Sequence, residues 1–186
     1  MENIITYSVN QTMSDEQFEK IYQMLDQSFP EQELRTAAGQ KALFANPYYR
    51  AVVSWLPDGS PLAFLGVWEF DTFRFVEHFA VAPAGRGKGT GGEFLRRYQQ
   101  SGTTPVILEV EHPQTEIASR RIGFYERHGF ALNHYPYEQP AMRAGQKPLP
   151  LLIMSWPRGI KEEEFRQTRR VLYTEVYHVA DKIESD

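Results

Sequence analysis

The residues from Arg86 to Gly92, RGKGTGG, form the densest glycine cluster of the chain. Four of these seven residues are glycine and two are basic, and a segment with helical character, EFLRRYQQ, follows directly. A helix that begins at such a turn presents N–H groups without partners inside the helix, and its dipole favours negative charge there. Glycine also lets the backbone approach a ligand closely. The cluster therefore predicts a binding site for a pyrophosphate group.

Two registers of this cluster indicate different ligands. Gly87, Gly89 and Gly92 have the spacing of a dinucleotide fingerprint, and Glu109 at the end of the next predicted strand stands near the position of an acidic ribose ligand. In that fold, however, a continuously apolar strand leads straight into the first glycine. Here the segment APAGR intervenes, and the strand before it, VEHFAVA, is polar at its start. A Walker loop fits less well, because Lys88 is followed by glycine and not by serine or threonine.

The other register, Arg86-x-x-Gly89-x-Gly91, fits its surroundings better. The segment VEHFAVAPAGRGKGTGGEFLRRY resembles the acetyl-CoA signature of the GNAT superfamily of N-acetyltransferases, in which a strand ending in Val-x-Pro precedes Arg/Gln-x-x-Gly-x-Gly/Ala and a helix. Further along the chain, RRIGFYERHGF resembles the family's segment with an aromatic residue, tyrosine, glutamate and a later Gly-Phe. Both motifs have the family's separation and order, and the resemblance covers roughly residues 3–157.

The resemblance implies that acetyl-CoA is the co-substrate. Its pyrophosphate would be held by the loop residues Arg86, Gly87, Lys88, Gly89, Thr90 and Gly91. The strand residues Phe79, Ala80 and Val81 would pair through their backbone with the pantetheine amides, in the manner of an added strand.

The resemblance also implies catalytic roles. Tyr125 matches the tyrosine that protonates the departing thiolate, and the ordinary pKa of a phenol, about 10, suits that role. Glu77 matches a carboxylate that serves many family members as general base, usually through water. Glu109 and Glu111 on the next strand are alternative bases, and the sequence leaves the choice open. The position at which the family commonly carries asparagine is Ala118 here.

The elements that would position these residues follow the order β-αα-βββ-α-β-α-ββ-α. Periodicity predicts a helix after an N-cap at Ser14, a second helix over 31–46, a hairpin turn at PDGS and one long helix over 160–186. This is a mixed α/β plan. The resemblance implies the GNAT acyl-CoA N-acyltransferase fold, with a central, twisted, mostly antiparallel sheet of about seven strands flanked by helices. We expect an acetyltransferase domain over 1–157 and a helical extension over 158–186, packed on the domain or on a homodimer partner.

Composition narrows the possible classes of protein. A length of 186 residues, with 41% hydrophobic and 24% charged residues, suits one globular domain, and a net charge of −4 predicts no nucleic-acid partner. The absence of cysteine excludes disulfides, Cys-based zinc sites and an acyl-cysteine intermediate. The spacing of His, Asp and Glu predicts no metal site. The N-terminal residues lack a signal-peptide pattern and the chain lacks a run of ~20 apolar residues, so we expect a cytoplasmic protein without a membrane partner.

The sequence thus predicts an N-acetyltransferase that moves an acetyl group from acetyl-CoA directly to a primary amine of a small molecule or peptide in a ternary complex. One alternative is a non-catalytic module that binds or senses acyl-CoA. A less favoured alternative is an NAD(P)-binding oxidoreductase.

Overall fold

A computed structural model describes residues 3–181 of the protein, and the chain divides into two compact units between Thr104 and Pro105. The expected division after residue 157 is a different one and stays a prediction.

The first unit is built on four antiparallel strands in the order β1-β2-β3-β4. Its elements are β1 (Asn3–Tyr7), α1 (Asp15–Ser28), α2 (Ala37–Ala42), β2 (Tyr49–Trp55), β3 (Pro61–Glu69), β4 (Arg74–Val81) and α3 (Thr90–Gln100). The turn PDGS joins β2 to β3 as expected, with Gly59 in the left-handed region at φ +76°. The core of this unit lies on β3, whose residues from Leu62 to Trp68 are buried without a break.

Helix α1 begins where the sequence predicts. The hydroxyl of Ser14 accepts a hydrogen bond from the backbone N–H of Gln17. In turn, the side-chain Oε1 of Gln17 accepts a hydrogen bond from the backbone N–H of Ser14. This reciprocal capping box satisfies two N–H groups that the first helical turn would leave unpaired. The face that carries Phe18, Ile21 and Leu25 is buried, so this amphipathic helix covers the sheet of its unit.

The predicted single helix over 31–46 is wrong. The segment consists of a 3-10 turn (Glu31–Glu33), an extended stretch, the short helix α2 and a second 3-10 turn (Leu43–Ala45). Leu34 is extended and buried, and the Thr36 hydroxyl caps α2 by accepting from the N–H of Gly39. Burial of Leu34 and the new cap at Thr36 divide what the periodicity suggested as one element.

Helix α3 is anchored at its C-terminus by Arg74, the first residue of β4. The buried guanidinium donates to the carbonyls of Tyr98, Gln99, Gly102 and Thr104, at distances from 2.7 to 3.3 Å. Carbonyls at a helix C-terminus lack intrahelical partners and carry partial negative charge, which a cation stabilises. Strand β4 therefore connects to both ends of α3. The glycine loop leads from β4 into the N-terminus of α3, and the Arg74 side chain of β4 holds its C-terminus.

The second unit contains three strands in the order β5-β7-β6, again antiparallel. Its elements are β5 (Val106–Glu111), α4 (Glu116–Arg127), β6 (Ala131–Gln139), β7 (Leu149–Trp156) and α5 (Glu162–Val171). Thr115 caps the start of α4, and Gly129, at φ +83°, follows its end.

The C-terminal segment is shorter and less regular than the predicted helix over 160–186. Helix α5 passes into one π-helical turn (Leu172–Val176), and His178 then adopts a positive φ of 56°, which ends the helical run. Phe165 stacks on Tyr135 of β6 with ring centroids 4.7 Å apart, so the segment packs on its own unit. Residues 182–186 of the predicted helix lie outside the described residues.

The predicted fold class is confirmed: the protein has a mixed α/β fold with seven strands, and the pairings within each unit are antiparallel. Between residues 3 and 181, no helix is long and apolar enough to cross a membrane.

Candidate active site

The glycine loop follows β4 and a 3-10 turn (Pro83–Gly85), and it opens α3. Gly87 and Gly89 both have positive φ, at 72° and 80°, and a Cβ atom at either position would meet nothing within 4 Å. Gly89 is the N-cap of α3, and its carbonyl accepts the first helical bond from Glu93, at 3.0 Å. The N–H groups of the first helical turn, Thr90 to Gly92, therefore have no partner inside the helix. An open turn lined by such N–H groups is a geometry that can bind an anion.

The basic residues of the loop are exposed. Arg86 reaches back to the end of β4, where its Nε donates to the carbonyl of Val81 at 2.9 Å. Lys88 is exposed at the tip of the turn. Both residues belong to the turn that precedes the first turn of α3.

Gly85 is a positioning residue that the sequence reading did not single out. It is buried, and a Cβ at this position would lie 3.0 Å from side-chain atoms of both Leu62 and Val81. Even an alanine at this position would require its neighbours to shift by a few tenths of an ångström. The signal in the sequence was the glycine directly before the recognised motif.

Strand β4 is irregular at Glu77. Gly66 of β3 faces His78 and Val67 faces Val76, so Glu77 is the extra residue of a β-bulge. After the bulge, Phe79, Ala80 and Val81 continue to the end of the strand, paired with β3 on one side. A bulge re-aims side chains and interrupts strand pairing, and such features concentrate near active sites. The three residues predicted to bind pantetheine thus follow the predicted base with only His78 between them.

The carboxylate of Glu77 is enclosed by other side chains, with its side chain fully excluded from solvent. One oxygen forms a short ion pair with the Arg35 guanidinium, and the other accepts a hydrogen bond from the indole N–H of Trp68 at 3.2 Å. The sequence reading missed both partners. Arg35 could have been suspected, since it is the only basic residue in the stretch FPEQELRTAAGQ that leads from α1 into α2.

His78 is buried beside this carboxylate. Its Nε2 lies 2.7 Å from the carbonyl oxygen of Glu33, and because a carbonyl only accepts, Nε2 carries the proton. Its Nδ1 has no hydrogen-bond partner among the described residues and lies 3.7 Å from the nearer oxygen of Glu77. Burial lowers the pKa of His78 below its usual range, although Glu77 and the Glu33 carbonyl oppose that effect. The imidazole is therefore neutral at pH 7.

Tyr49 is a further buried polar residue near Glu77. Its hydroxyl accepts from Nε2 of Gln40 at 2.9 Å, and a Cβ on Gly66 would lie only 2.8 Å from that hydroxyl. Burial, and then the charge of Glu77, raise the pKa of Tyr49 far above its usual range. The phenol of Tyr49 is therefore uncharged.

In the second unit, Tyr125 lies on α4 and is buried, with its ring 5.5 Å from that of Phe130. Burial raises the pKa of Tyr125 to about 12, against a smaller opposite effect of Arg121. The phenol keeps its proton at neutral pH, which is the form an acid catalyst needs. Ala118, which lies on the same helix, is also buried.

The two alternative carboxylates on β5 have partners of their own. Glu109 accepts hydrogen bonds from the phenols of Tyr137 and Tyr177, and Glu111 pairs with Arg121 at 2.9 Å. Among the described residues, no group of three His, Asp or Glu side chains is placed to hold a metal ion.

Comparisons with known proteins agree with this geometry. The sequence pattern of the acetyltransferase (GNAT) family matches residues 18–130. A Bacillus subtilis (strain 168) protein named "Putative acetyltransferase YjbC" is 26% identical over 165 residues, 87% of this chain and 83% of its own.

Solved structures show the same fold. A "Putative acetyltransferase from GNAT family" from Bacteroides thetaiotaomicron has 33% identity and a TM-score of 0.83, covering 95% of this chain and 99% of its own. An aminoglycoside 6'-N-acetyltransferase solved with coenzyme A, at 17% identity and a TM-score of 0.56, covers 85% of this chain and 99% of its own. With a family pattern over more than half of its length, a glycine loop in the matching register and these relatives, the chain belongs to the GNAT family of acetyltransferases and is an acyltransferase.

Proposed function

We propose that the protein transfers the acetyl group of acetyl-CoA directly to a primary amine of a small molecule or peptide, within a ternary complex. The observation that carries this proposal is the loop with two left-handed glycines at the N-terminus of α3, directly after the bulged end of β4. The aminoglycoside acetyltransferase with the same fold was solved with coenzyme A, which supports the choice of carrier.

The residues of the loop fit a pyrophosphate. Gly87 and Gly89 leave open space where side chains would stand, and the N–H groups of the first turn of α3 lack helical partners. Arg86 and Lys88 would add positive charge, and the backbone of Phe79, Ala80 and Val81 would hold the pantetheine arm. When bound, acetyl-CoA supplies an acetyl group activated as a thioester.

Two residues of the chain have proposed roles in the transfer itself. Glu77 would take the proton of the acceptor ammonium, so that the amine lone pair forms the new N–C bond. The C–S bond breaks with its electron pair on sulfur, and the Tyr125 phenol would give that sulfur its proton. The nitrogen loses its second proton to solvent as the amide forms, and solvent returns a proton to the Tyr125 phenolate. Glu77 is enclosed in the structure, so its role requires that the acceptor reach it in place of a present neighbour.

The proposal is tested in two steps. Calorimetric titration of the protein with CoA, acetyl-CoA, NAD and NADP is expected to show binding of the first two only. Thiol release from acetyl-CoA is then measured against a panel of amino acids, dipeptides, polyamines and amino sugars. Binding of NAD or NADP without CoA would overturn the proposal. Binding of CoA with no thiol release from any amine would favour an acyl-CoA sensor instead.

A further inference from the structure

Glu77 obtains its counter-ion from the segment that joins α1 to α2. Its side chain is fully excluded from solvent, and the side chain of Arg35 is 12% exposed. An ionised carboxylate in such a position requires a cationic or hydrogen-bonding partner, because removing a charge from water is costly. Arg35 and Trp68 meet that requirement in the free protein.

This arrangement limits which amines can react. Direct proton transfer to Glu77 requires that the acceptor ammonium contact its carboxylate, but the guanidinium of Arg35 covers that carboxylate. The acceptor must therefore exchange with Arg35. The acceptor ammonium and the Arg35 guanidinium carry the same charge. Exchanging one for the other therefore leaves the negative charge of Glu77 neutralised.

The backbone around Arg35 is fixed while its long side chain has rotatable bonds. Leu34 is buried at 1% exposure, the Arg35 carbonyl accepts a hydrogen bond from the Tyr22 phenol at 2.9 Å, and Thr36 caps α2. The guanidinium can thus leave Glu77 by side-chain rotation and stay close to it. Its positive charge then remains in a poorly hydrated place, where an anionic group of the acceptor stabilises it.

We propose that the acceptor is an amine that also carries an anionic group, such as the carboxylate of an amino acid or peptide, and that Arg35 determines this specificity. The ammonium replaces Arg35 on Glu77, and Arg35 forms the bidentate pair with the acceptor's carboxylate that guanidinium groups favour. Two ion pairs replace one, and no charge is left without a partner. An acceptor with positive charge only, such as a polyamine, leaves Arg35 displaced beside a like charge. The inference rests on the proposed function, with Glu77 as the residue that meets the ammonium.

The test compares amino acids with their own amides as acceptors. The amide lacks the anionic group but is otherwise matched, and its amino group loses a proton more readily than that of the acid. A preference for the acid therefore cannot come from a larger supply of neutral amine. For the wild-type protein we expect kcat/KM to be about tenfold to a hundredfold higher for the acid, and calorimetry in the presence of CoA to show tighter binding of the acid.

Variants assign the preference to Arg35. Arg35→Met should bring acid and amide to the same kcat/KM, and Arg35→Lys should keep part of the difference. Because Arg35→Met leaves a buried carboxylate without its cation, the double variant Arg35→Met/Glu77→Gln provides a fold-preserving form for the binding comparison. Lys41→Met is the matched control, since Lys41 is a cation of α2 whose ion pair with Asp15 lies at the surface.

The outcomes separate the inference from the function on which it rests. Equal or better use of amides or polyamines by the wild-type protein would overturn the role of Arg35 while acetyl transfer stands. A preference for the acid that survives in Arg35→Met would do the same. Absence of thiol release with every amine would overturn the proposed function and the inference together.

Discussion

The phenol oxygen of Tyr177 lies 2.9 Å and 2.8 Å from the two carboxylate oxygens of Glu109. The phenol of Tyr137 donates to the same carboxylate from β6. The C-terminal segment, for which the family motifs give no purpose, thus supplies a hydrogen-bond donor to a residue of β5. Two phenols of the second unit therefore hold the Glu109 carboxylate.

Replacing Tyr177 by phenylalanine is expected to destabilise the protein by ~1–3 kcal/mol, because a partly buried carboxylate loses a hydrogen-bond donor without losing its charge. Urea unfolding at pH 7 measures this free energy. The matched control is Tyr48→Phe, which removes a phenol oxygen from a ring that is 42% exposed and should change stability little. Equal stability of the two variants would mean that Tyr177 contributes no net free energy through Glu109.

A second prediction concerns the stability of the fold at acidic pH. The pKa of His78 is lowered in the folded state, so the unfolded chain takes up a proton first as the pH falls below about 6.5. The stability that neutral His78 contributes is present above that pH and is lost as the pH falls towards the folded-state value. The free energy of unfolding should fall by at most ~1.4 kcal/mol per pH unit from this one group.

The substitution His78→Gln tests this assignment, because glutamine keeps a donor for the Glu33 carbonyl but does not titrate. Unfolding free energies at pH 7.5 and 5.5 should differ less in this variant than in the wild-type protein. His134→Gln, the same substitution at an exposed histidine on β6, is the control. An unaltered acid response in His78→Gln would contradict the prediction.

Much of the fold and half of the site follow from local patterns in the sequence. The capping box at Ser14, the PDGS hairpin, the glycine loop and the start of α3 each depend on a few neighbouring residues, so their signals are strong. The helix predicted over 31–46 failed for a tertiary reason, namely that burial of Leu34 competes with helical periodicity. Propensity is a weak prior where such packing intervenes.

The surroundings of Glu77 could not have been predicted in the same way. Arg35 is 42 positions away in sequence and Trp68 is nine, and they meet the carboxylate only because a bulge turns β4 at this residue. A one-residue change of strand register reverses the direction of every side chain that follows. No local pattern encodes that register. The sequence can therefore single out Glu77 as a candidate base, but it cannot predict the ion pair of Glu77.

The glycine loop gives a third prediction. Gly89→Ala places a side chain at φ +80°, which should destabilise the protein by ~1 kcal/mol and weaken CoA binding, since the loop must relax from the conformation that presents its N–H groups. Gly145→Ala is a close control: this glycine has φ +83° in another loop, and a Cβ there also meets nothing within 4 Å. Both variants should lose similar stability in urea, but only Gly89→Ala should lose affinity for CoA in calorimetry. Equal CoA affinities would remove the loop from the pyrophosphate site.

The last prediction separates chemistry from binding at Tyr125. With its pKa raised to about 12, the phenol stays protonated over the whole working range of the enzyme, so ionisation of Tyr125 should not lower kcat between pH 7 and about 10. Tyr125→Phe keeps the ring that packs on Phe130 but removes the acid, and we expect kcat to fall by ~10²–10⁴-fold with little change in the affinity for CoA. Stopped-time thiol assays give kcat, and calorimetry gives the affinity. If the variant keeps wild-type turnover, another group or water protonates the thiolate. If its CoA affinity falls as much as its turnover, Tyr125 supports binding and not proton transfer.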